Sequence, residues 1–98
     1  MQFVVIAYDY KDDKALERRL SVREKHLNYA KQMYKEGKWL FSSALLDEEG
    51  KMNGSVIFCD YPSEEVLCSE WLKEEAYVVG KVWEDISVRK VKIANHDK

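Results

Sequence analysis

Apolar side chains recur at helical spacing between residues 21 and 37. Five residues at positions i, i+4, i+7, i+8 and i+11 share one helical face, and they are Val22, His26, Tyr29, Ala30 and Met33. Ser21 and Glu24 have the spacing of a capping box, and Gly37 favours a left-handed stop. We therefore predict an amphipathic helix that begins at Ser21 and carries a histidine in the middle of its apolar face.

Four other stretches are rich in β-branched and aromatic residues and predict strands. They cover residues 3–8, 39–46, 54–59 and 82–93. The second and third form a hairpin around Gly50. In the last stretch the apolar alternation changes phase, which predicts a bulge near Arg89 and Lys90.

Two further helical segments complete the pattern. Residues 15–20 can form a short helix, separated by a break from the helix that begins at Ser21. Pro62 and Ser63 suit the start of a later helix, whose inward face is marked by apolar i, i+4 pairs. Residues 75–80 can add one more turn, which Gly80 would end.

The order of these elements is β-α-β-β-α-β. It predicts an α+β, ferredoxin-like fold with a four-stranded antiparallel sheet, formed by a single domain over residues 1–94, with a polar tail at residues 95–98. Right-handed crossovers place both helices on one face of the sheet. The strand at residues 3–8 is apolar on both faces, so we predict a homodimer that packs sheet to sheet.

Composition excludes several classes of function. The chain has 98 residues and a net charge of −2, with basic residues interspersed among acidic ones, which argues against a nucleic-acid partner. The apolar residues 1–8 lack the basic region of a signal peptide, and no segment approaches a membrane span, so we predict a cytoplasmic protein without a membrane partner. Cys59 and Cys68 lack metal-site spacing, and no phosphate-cradling glycine loop or metal motif occurs, so we expect no metal and no cofactor.

His26 is the only histidine within a predicted element, and two interpretations are open. It is either a core histidine with satisfied ring nitrogens or a general acid/base in a pocket. Arg23 lies one turn earlier and could place a positive charge beside it. Glu74 and Glu75 are either solvated or aimed back at this helix as a carboxylate partner.

Three more residues are candidates for binding a small molecule. Tyr77 is either a pocket wall or a core aromatic residue. Ser43 and Ser55 could form hydrogen bonds with a ligand, although small strand residues are more often there for packing.

Three segments resemble the YciI-like family of small bacterial proteins, and they are RLSVREKHL, EGKWLFSSALLDEEGKMNGS and EAYVVGKVWEDISVRKVKI. The resemblance implies a ferredoxin-like fold of the dimeric α/β-barrel type, with two subunits joined through their sheets. In this family a histidine is paired with the aspartate of an Asp-Pro-Tyr segment. The histidine corresponds to His26 and the aspartate to Glu75, whereas Ala76 replaces the proline. Ser43-Ala44 stands where the family tends to have Gly-Pro.

The resemblance implies a function for these residues. His26 would be the general acid/base and Glu75 would orient it. Arg23, Ser43, Ser55 and Tyr77, which are candidates from the sequence pattern and not from the resemblance, would bind the substrate. The expected reaction is of the isomerase, lyase or cofactor-free oxygenase type on a small organic molecule. The alternative is a non-catalytic dimeric protein that binds a ligand or another protein.

Overall fold

The computed structural model describes residues 1–94, so the predicted tail at residues 95–98 lies outside the described residues. A single 3₁₀ turn, Leu72–Glu74, lies between two short helices. The strands and helices in chain order are β1 (Gln2–Asp9), α1 (Ala15–Lys35), β2 (Trp39–Leu46), β3 (Met52–Asp60), α2 (Glu64–Glu70), α3 (Ala76–Val79) and β4 (Trp83–Lys90).

The four strands form one antiparallel sheet in the order β2-β3-β1-β4. The two central strands, β1 and β3, are far apart in sequence, and each pairs with a neighbour on both sides. This arrangement confirms the predicted ferredoxin-like α+β fold.

The first helix differs from its prediction. α1 is one continuous helix of 21 residues, so the predicted break at Ser21 is wrong. The Ser21 hydroxyl donates a hydrogen bond to the Arg18 carbonyl at 2.7 Å, and it is therefore used inside the helix instead of at a cap. The predicted stop is confirmed, because Gly37 has a φ of 75° in the left-handed region. Within residues 1–94, no helix is both long and apolar enough to cross a membrane.

The last strand also differs from its prediction. β4 ends at Lys90, so the apolar residues Val91 and Ile93 lie outside the strand. Their positions in the apolar alternation thus require no change of phase within β4. The predicted bulge near Arg89 and Lys90 is therefore wrong. The register shift between β1 and β4 lies at their other end, between Tyr8 and Asp9.

The two faces of the sheet have different surroundings. One face packs against the helices, and its core includes large rings from Trp39, Tyr61, Trp71 and Trp83. No helix of residues 1–94 covers the opposite face. Its apolar residues, assigned by the strand register, are Val4, Ile6, Tyr8, Phe41, Leu45, Val56 and Phe58.

Candidate active site

His26 lies on the inward face of α1 and is packed among aromatic rings. Its imidazole stacks on Tyr77 with a centroid distance of 4.1 Å and an interplanar angle of 16°. Trp39 and Trp83 approach the same ring at 5.6 Å and 6.2 Å. The residue is only 6% exposed, so its orientation is fixed by packing.

The Glu75 carboxylate is the polar partner of this histidine. Its Oε1 lies 2.6 Å from Nδ1 of His26, and the side chain is buried. Two other donors reach the same carboxylate: the Trp71 indole donates to Oε2 at 2.5 Å and the Tyr77 backbone N–H donates to Oε1 at 3.2 Å. The structure thus brings His26 into contact with Glu75, the carboxylate partner predicted from the sequence.

This contact bears on which nitrogen of His26 carries hydrogen. When Glu75 is ionised, its carboxylate can only accept hydrogen bonds, so Nδ1 of His26 donates to it. In the neutral imidazole the other nitrogen, Nε2, then carries a lone pair. Nε2 makes no hydrogen bond within residues 1–94, and His26 lines a pocket. In this arrangement the carboxylate holds the imidazole in one orientation with Nε2 available to the pocket.

Hydrogen bonds to the Glu75 carboxylate fix the position of its side chain, although no proline follows it to restrict the backbone. Glu75 is the N-cap of α3, and its side chain accepts the backbone N–H of Tyr77. The longer glutamate side chain is also held at its second oxygen by Trp71. Ala76 can therefore follow Glu75 without loss of the carboxylate's position.

A second buried charge system, which the sequence analysis missed, lies next to the first. Arg19 forms an ion pair with Asp9 at 2.9 Å and donates to the Ser55 hydroxyl at 2.9 Å. The Trp83 indole donates to the same hydroxyl at 3.2 Å. The Arg19 guanidinium also lies over the Tyr77 ring, 4.6 Å from its centroid.

The sequence contains a signal for Arg19 that was overlooked. Arg19 precedes Arg23 by four residues and His26 by seven, which places it on the same helical face. Because the helix was predicted to begin at Ser21, Arg19 fell outside the apolar stripe. Because α1 is continuous, Arg19 lies on its inward face as a buried charged residue.

Burial affects the titration of two groups in this region. It raises the pKa of Asp9, and the Arg19 guanidinium opposes that shift. It also raises the pKa of Tyr77, against the opposing effects of Arg19 and Arg23. The Tyr77 phenol therefore stays protonated at neutral pH.

A pocket of about 200 Å³ opens between α1 and the β2–β3 side of the sheet. No metal site of three or more His, Cys, Asp or Glu side chains occurs in the part of the chain that the structure describes. The pocket is lined by Arg19, Arg23, His26, Leu27, Ser42, Ser43, Ala44, Met52, Ser55, Ile57 and Tyr77.

The predicted substrate-binding residues occupy different parts of this pocket. Ser55 and Tyr77 form its buried wall, and Arg23 is exposed. Ser43 also lines the pocket, but it pairs with Val56 in the register of the uncovered face and its hydroxyl donates to the Val56 carbonyl at 3.2 Å. The four predicted substrate-binding residues thus line one cavity together with His26, with Ser43 directed away from its centre, whereas Glu75 lies outside the lining.

A comparison with known families identifies the family of this chain. A model of the YCII-related domain matches residues 1–92, and the chain belongs to this family. An uncharacterized protein of Haemophilus influenzae is 31% identical to it, over 94% of this chain and 97% of that protein. Protein YciI of Escherichia coli is 30% identical over the same shares of the two chains.

Solved structures with the same fold are more distant in sequence. A 5-chloro-2-hydroxyhydroquinone dehydrochlorinase from Burkholderia phenoliruptrix, in complex with 2,5-dihydroxybenzoquinone, has a TM-score of 0.81 at 17% identity, with all of both chains covered. An antibiotic biosynthesis monooxygenase has a TM-score of 0.55 at 15% identity, over 97% of this chain and all of that chain. At these identities the comparisons establish the fold alone.

The Asp9–Arg19 ion pair provides a test of the second charge system. Arg19→Met should lower the free energy of unfolding by about 3–5 kcal/mol, because it leaves the Asp9 carboxylate buried without its partner. The double variant Asp9→Asn with Arg19→Met should recover most of this loss. Urea denaturation followed by circular dichroism measures both effects.

The matched control is Arg18→Met, which removes the more exposed ion pair between Arg18 and Asp12. It should cost far less than Arg19→Met, because both charged groups of this pair are solvated. Equal losses for Arg18→Met and Arg19→Met would contradict the interpretation of Arg19 as a buried, paired charge.

Proposed function

We propose that this protein is an enzyme acting on a small organic molecule, with His26 as general acid/base and Glu75 as its partner. The observation that supports it is the 2.6 Å contact between Nδ1 of His26 and the Glu75 carboxylate, with Nε2 left without a partner in residues 1–94. A base needs a lone pair in a pocket and a second group that fixes its orientation. Both are present at His26.

The proposed chemistry is proton abstraction next to a carbonyl or from a phenol. Nε2 takes the proton, and the electron pair of the broken bond stays on the substrate as an enolate or phenolate. In the imidazolium that forms, the Nδ1 hydrogen remains hydrogen-bonded to the Glu75 carboxylate. The negative charge of this carboxylate stabilises the imidazolium. Isomerisation, elimination and cofactor-free oxygenation all begin with such a step. The dehydrochlorinase and monooxygenase activities of the structural neighbours support this class by analogy of fold.

Arg23, Ser43, Ser55 and Tyr77 are the proposed substrate-binding residues. Arg23 offers a guanidinium at the pocket mouth, and the Tyr77 hydroxyl makes no hydrogen bond within residues 1–94. The guanidinium can only donate hydrogen bonds. The Tyr77 phenol keeps its hydrogen at neutral pH, because burial raises its pKa. This chemistry needs no metal or cofactor. We also propose that the protein is cytoplasmic.

The alternative is a non-catalytic dimeric protein that binds a ligand or another protein. The close packing of His26 against Tyr77, Trp39 and Trp83 favours it, because a histidine in the core has the same surroundings. Replacement of the family's Asp-Pro-Tyr by Glu75-Ala76-Tyr77 also favours it. The two functions differ in whether His26 moves protons.

Hydrogen exchange into substrate analogues separates the two functions. In D₂O, the wild-type protein should accelerate exchange of carbon-bound hydrogen in 2-hydroxyhydroquinone or a related enolisable ring, measured by mass spectrometry. His26→Gln should reduce this rate by about 10²–10⁴-fold, because it removes the general base.

The matched control is His96→Gln, a change outside the described residues, which should leave the exchange rate unchanged. If the wild-type protein accelerates exchange in none of the enolisable rings of a panel, the enzymatic function is rejected and the non-catalytic binding function is favoured.

The proposed assembly is a homodimer joined through the uncovered face of the sheet. That face combines three apolar residues of the central strand β1 with Phe41 of the edge strand β2, a residue that is 61% exposed. An apolar sheet face of this extent is uncommon on a soluble monomer. A second copy would cover it symmetrically.

Light scattering coupled to size-exclusion chromatography tests the dimer. The wild-type protein should have the mass of two chains at micromolar concentration, and Phe41→Lys should shift it towards the monomer by placing a charge in the interface. Leu20→Lys is the control, because Leu20 is similarly exposed, at 53%, but lies on α1. A wild-type monomer would reject this assembly.

A further inference from the structure

The Ser55 hydroxyl is held as a hydrogen-bond donor by its neighbours. Its oxygen accepts one hydrogen bond from Nη2 of Arg19 at 2.9 Å and one from Nε1 of Trp83 at 3.2 Å. A guanidinium and an indole N–H can only donate. Both lone pairs of the Ser55 oxygen are thus in use, and its own hydrogen must point to some other acceptor.

No such acceptor occurs within residues 1–94. Ser55 makes only the two hydrogen bonds that it accepts, although it is just 3% exposed. A buried hydroxyl hydrogen without an acceptor is unfavourable. Because Ser55 forms part of the pocket wall, a ligand in the pocket can supply the missing acceptor.

The charge of the pocket favours an anion. None of its lining residues is acidic, although the whole chain has a net charge of −2. The charge of Arg19 is balanced by Asp9, while Arg23 forms no ion pair in the described part of the chain. The pocket lining therefore presents the Arg23 guanidinium at its mouth and a directed hydroxyl in its wall, while the Glu75 carboxylate lies behind His26 and outside the lining.

The size of the pocket limits the ligand. Its volume of about 200 Å³ is below the roughly 300–1,000 Å³ of drug-sized sites. A cavity of roughly 150 Å³ is sufficient for benzene. The space therefore suits a molecule with one six-membered ring.

We propose that the pocket binds a single-ring oxyanion whose charged oxygen accepts the Ser55 hydroxyl and faces the Arg23 guanidinium. Arg19 and Trp83 are positioning residues that hold the hydroxyl in its donor orientation. The inference deepens the proposed function and rests on it in one respect: the anion bound there is the product of proton transfer to Nε2 of His26. Binding itself needs no turnover.

Equilibrium binding of 4-nitrophenolate, followed by its visible absorbance at slightly alkaline pH, tests the proposal. Nitrobenzene is the neutral counterpart of similar shape. The wild-type protein should bind the phenolate at least about ten-fold more tightly than nitrobenzene, because a hydrogen bond to a charged oxygen is stronger than a neutral contact. Ser55→Ala should lower phenolate affinity by about ten-fold and leave nitrobenzene affinity unchanged. Ser69→Ala, a serine on α2 remote from the pocket, is the control.

Arg23→Gln provides a second, independent variant, since Arg23 is exposed and its replacement leaves the core intact. It should weaken phenolate binding several-fold and reduce its salt dependence, whereas Lys35→Gln on the same helix should change neither. Equal affinity of the wild-type protein for the phenolate and nitrobenzene would overturn the proposal. So would absence of phenolate binding at millimolar concentration, or unchanged affinity in a folded Ser55→Ala variant.

The outcomes also separate this inference from the proposed enzyme. Selective phenolate binding that depends on Ser55, without hydrogen exchange in any ring, supports the oxyanion site and rejects catalysis. Exchange that depends on His26, without preference for the phenolate, rejects the oxyanion site alone.

Discussion

The Glu75 carboxylate is the group on which the arrangement of the site depends. A buried carboxylate is costly unless several hydrogen bonds replace its hydration. Here the three donors come from different parts of the chain: His26 from α1, Trp71 from the end of α2, and the Tyr77 backbone from α3. Satisfying this one side chain therefore brings three helical segments together beside the sheet.

Tyr77 connects this carboxylate to the second buried charge system. His26 stacks on its ring and Arg19 lies over the same ring. Residues seven positions apart on a helix are separated by about 10 Å along its axis, and Tyr77 contacts both side chains. The imidazole and the guanidinium are each paired with a different carboxylate. One pocket can then contain a base and a set of donors for an anion.

The sequence predicted the order of the elements and the residues of the first pair, because both depend on local pattern and family resemblance. It failed where a residue's role depends on distant neighbours. Ser21 has the spacing of a cap, but only the packing of a continuous α1 shows that its hydroxyl is used inside the helix. Ser55 was a candidate donor, yet its orientation depends on Arg19 and Trp83, which are far from it in sequence. Asp9 lies just beyond the predicted strand at residues 3–8, and only the tertiary structure pairs it with Arg19 of α1.

The tautomer of His26 tests the central claim that Glu75 orients the imidazole with Nε2 towards the pocket. Long-range ¹H–¹⁵N correlation spectra of the histidine rings distinguish the two neutral tautomers, and the His96→Gln variant assigns the signals. The account predicts that neutral His26 carries its hydrogen on Nδ1 and loses this preference in Glu75→Gln, whose amide can also donate. A wild-type His26 protonated mainly on Nε2 would contradict the account.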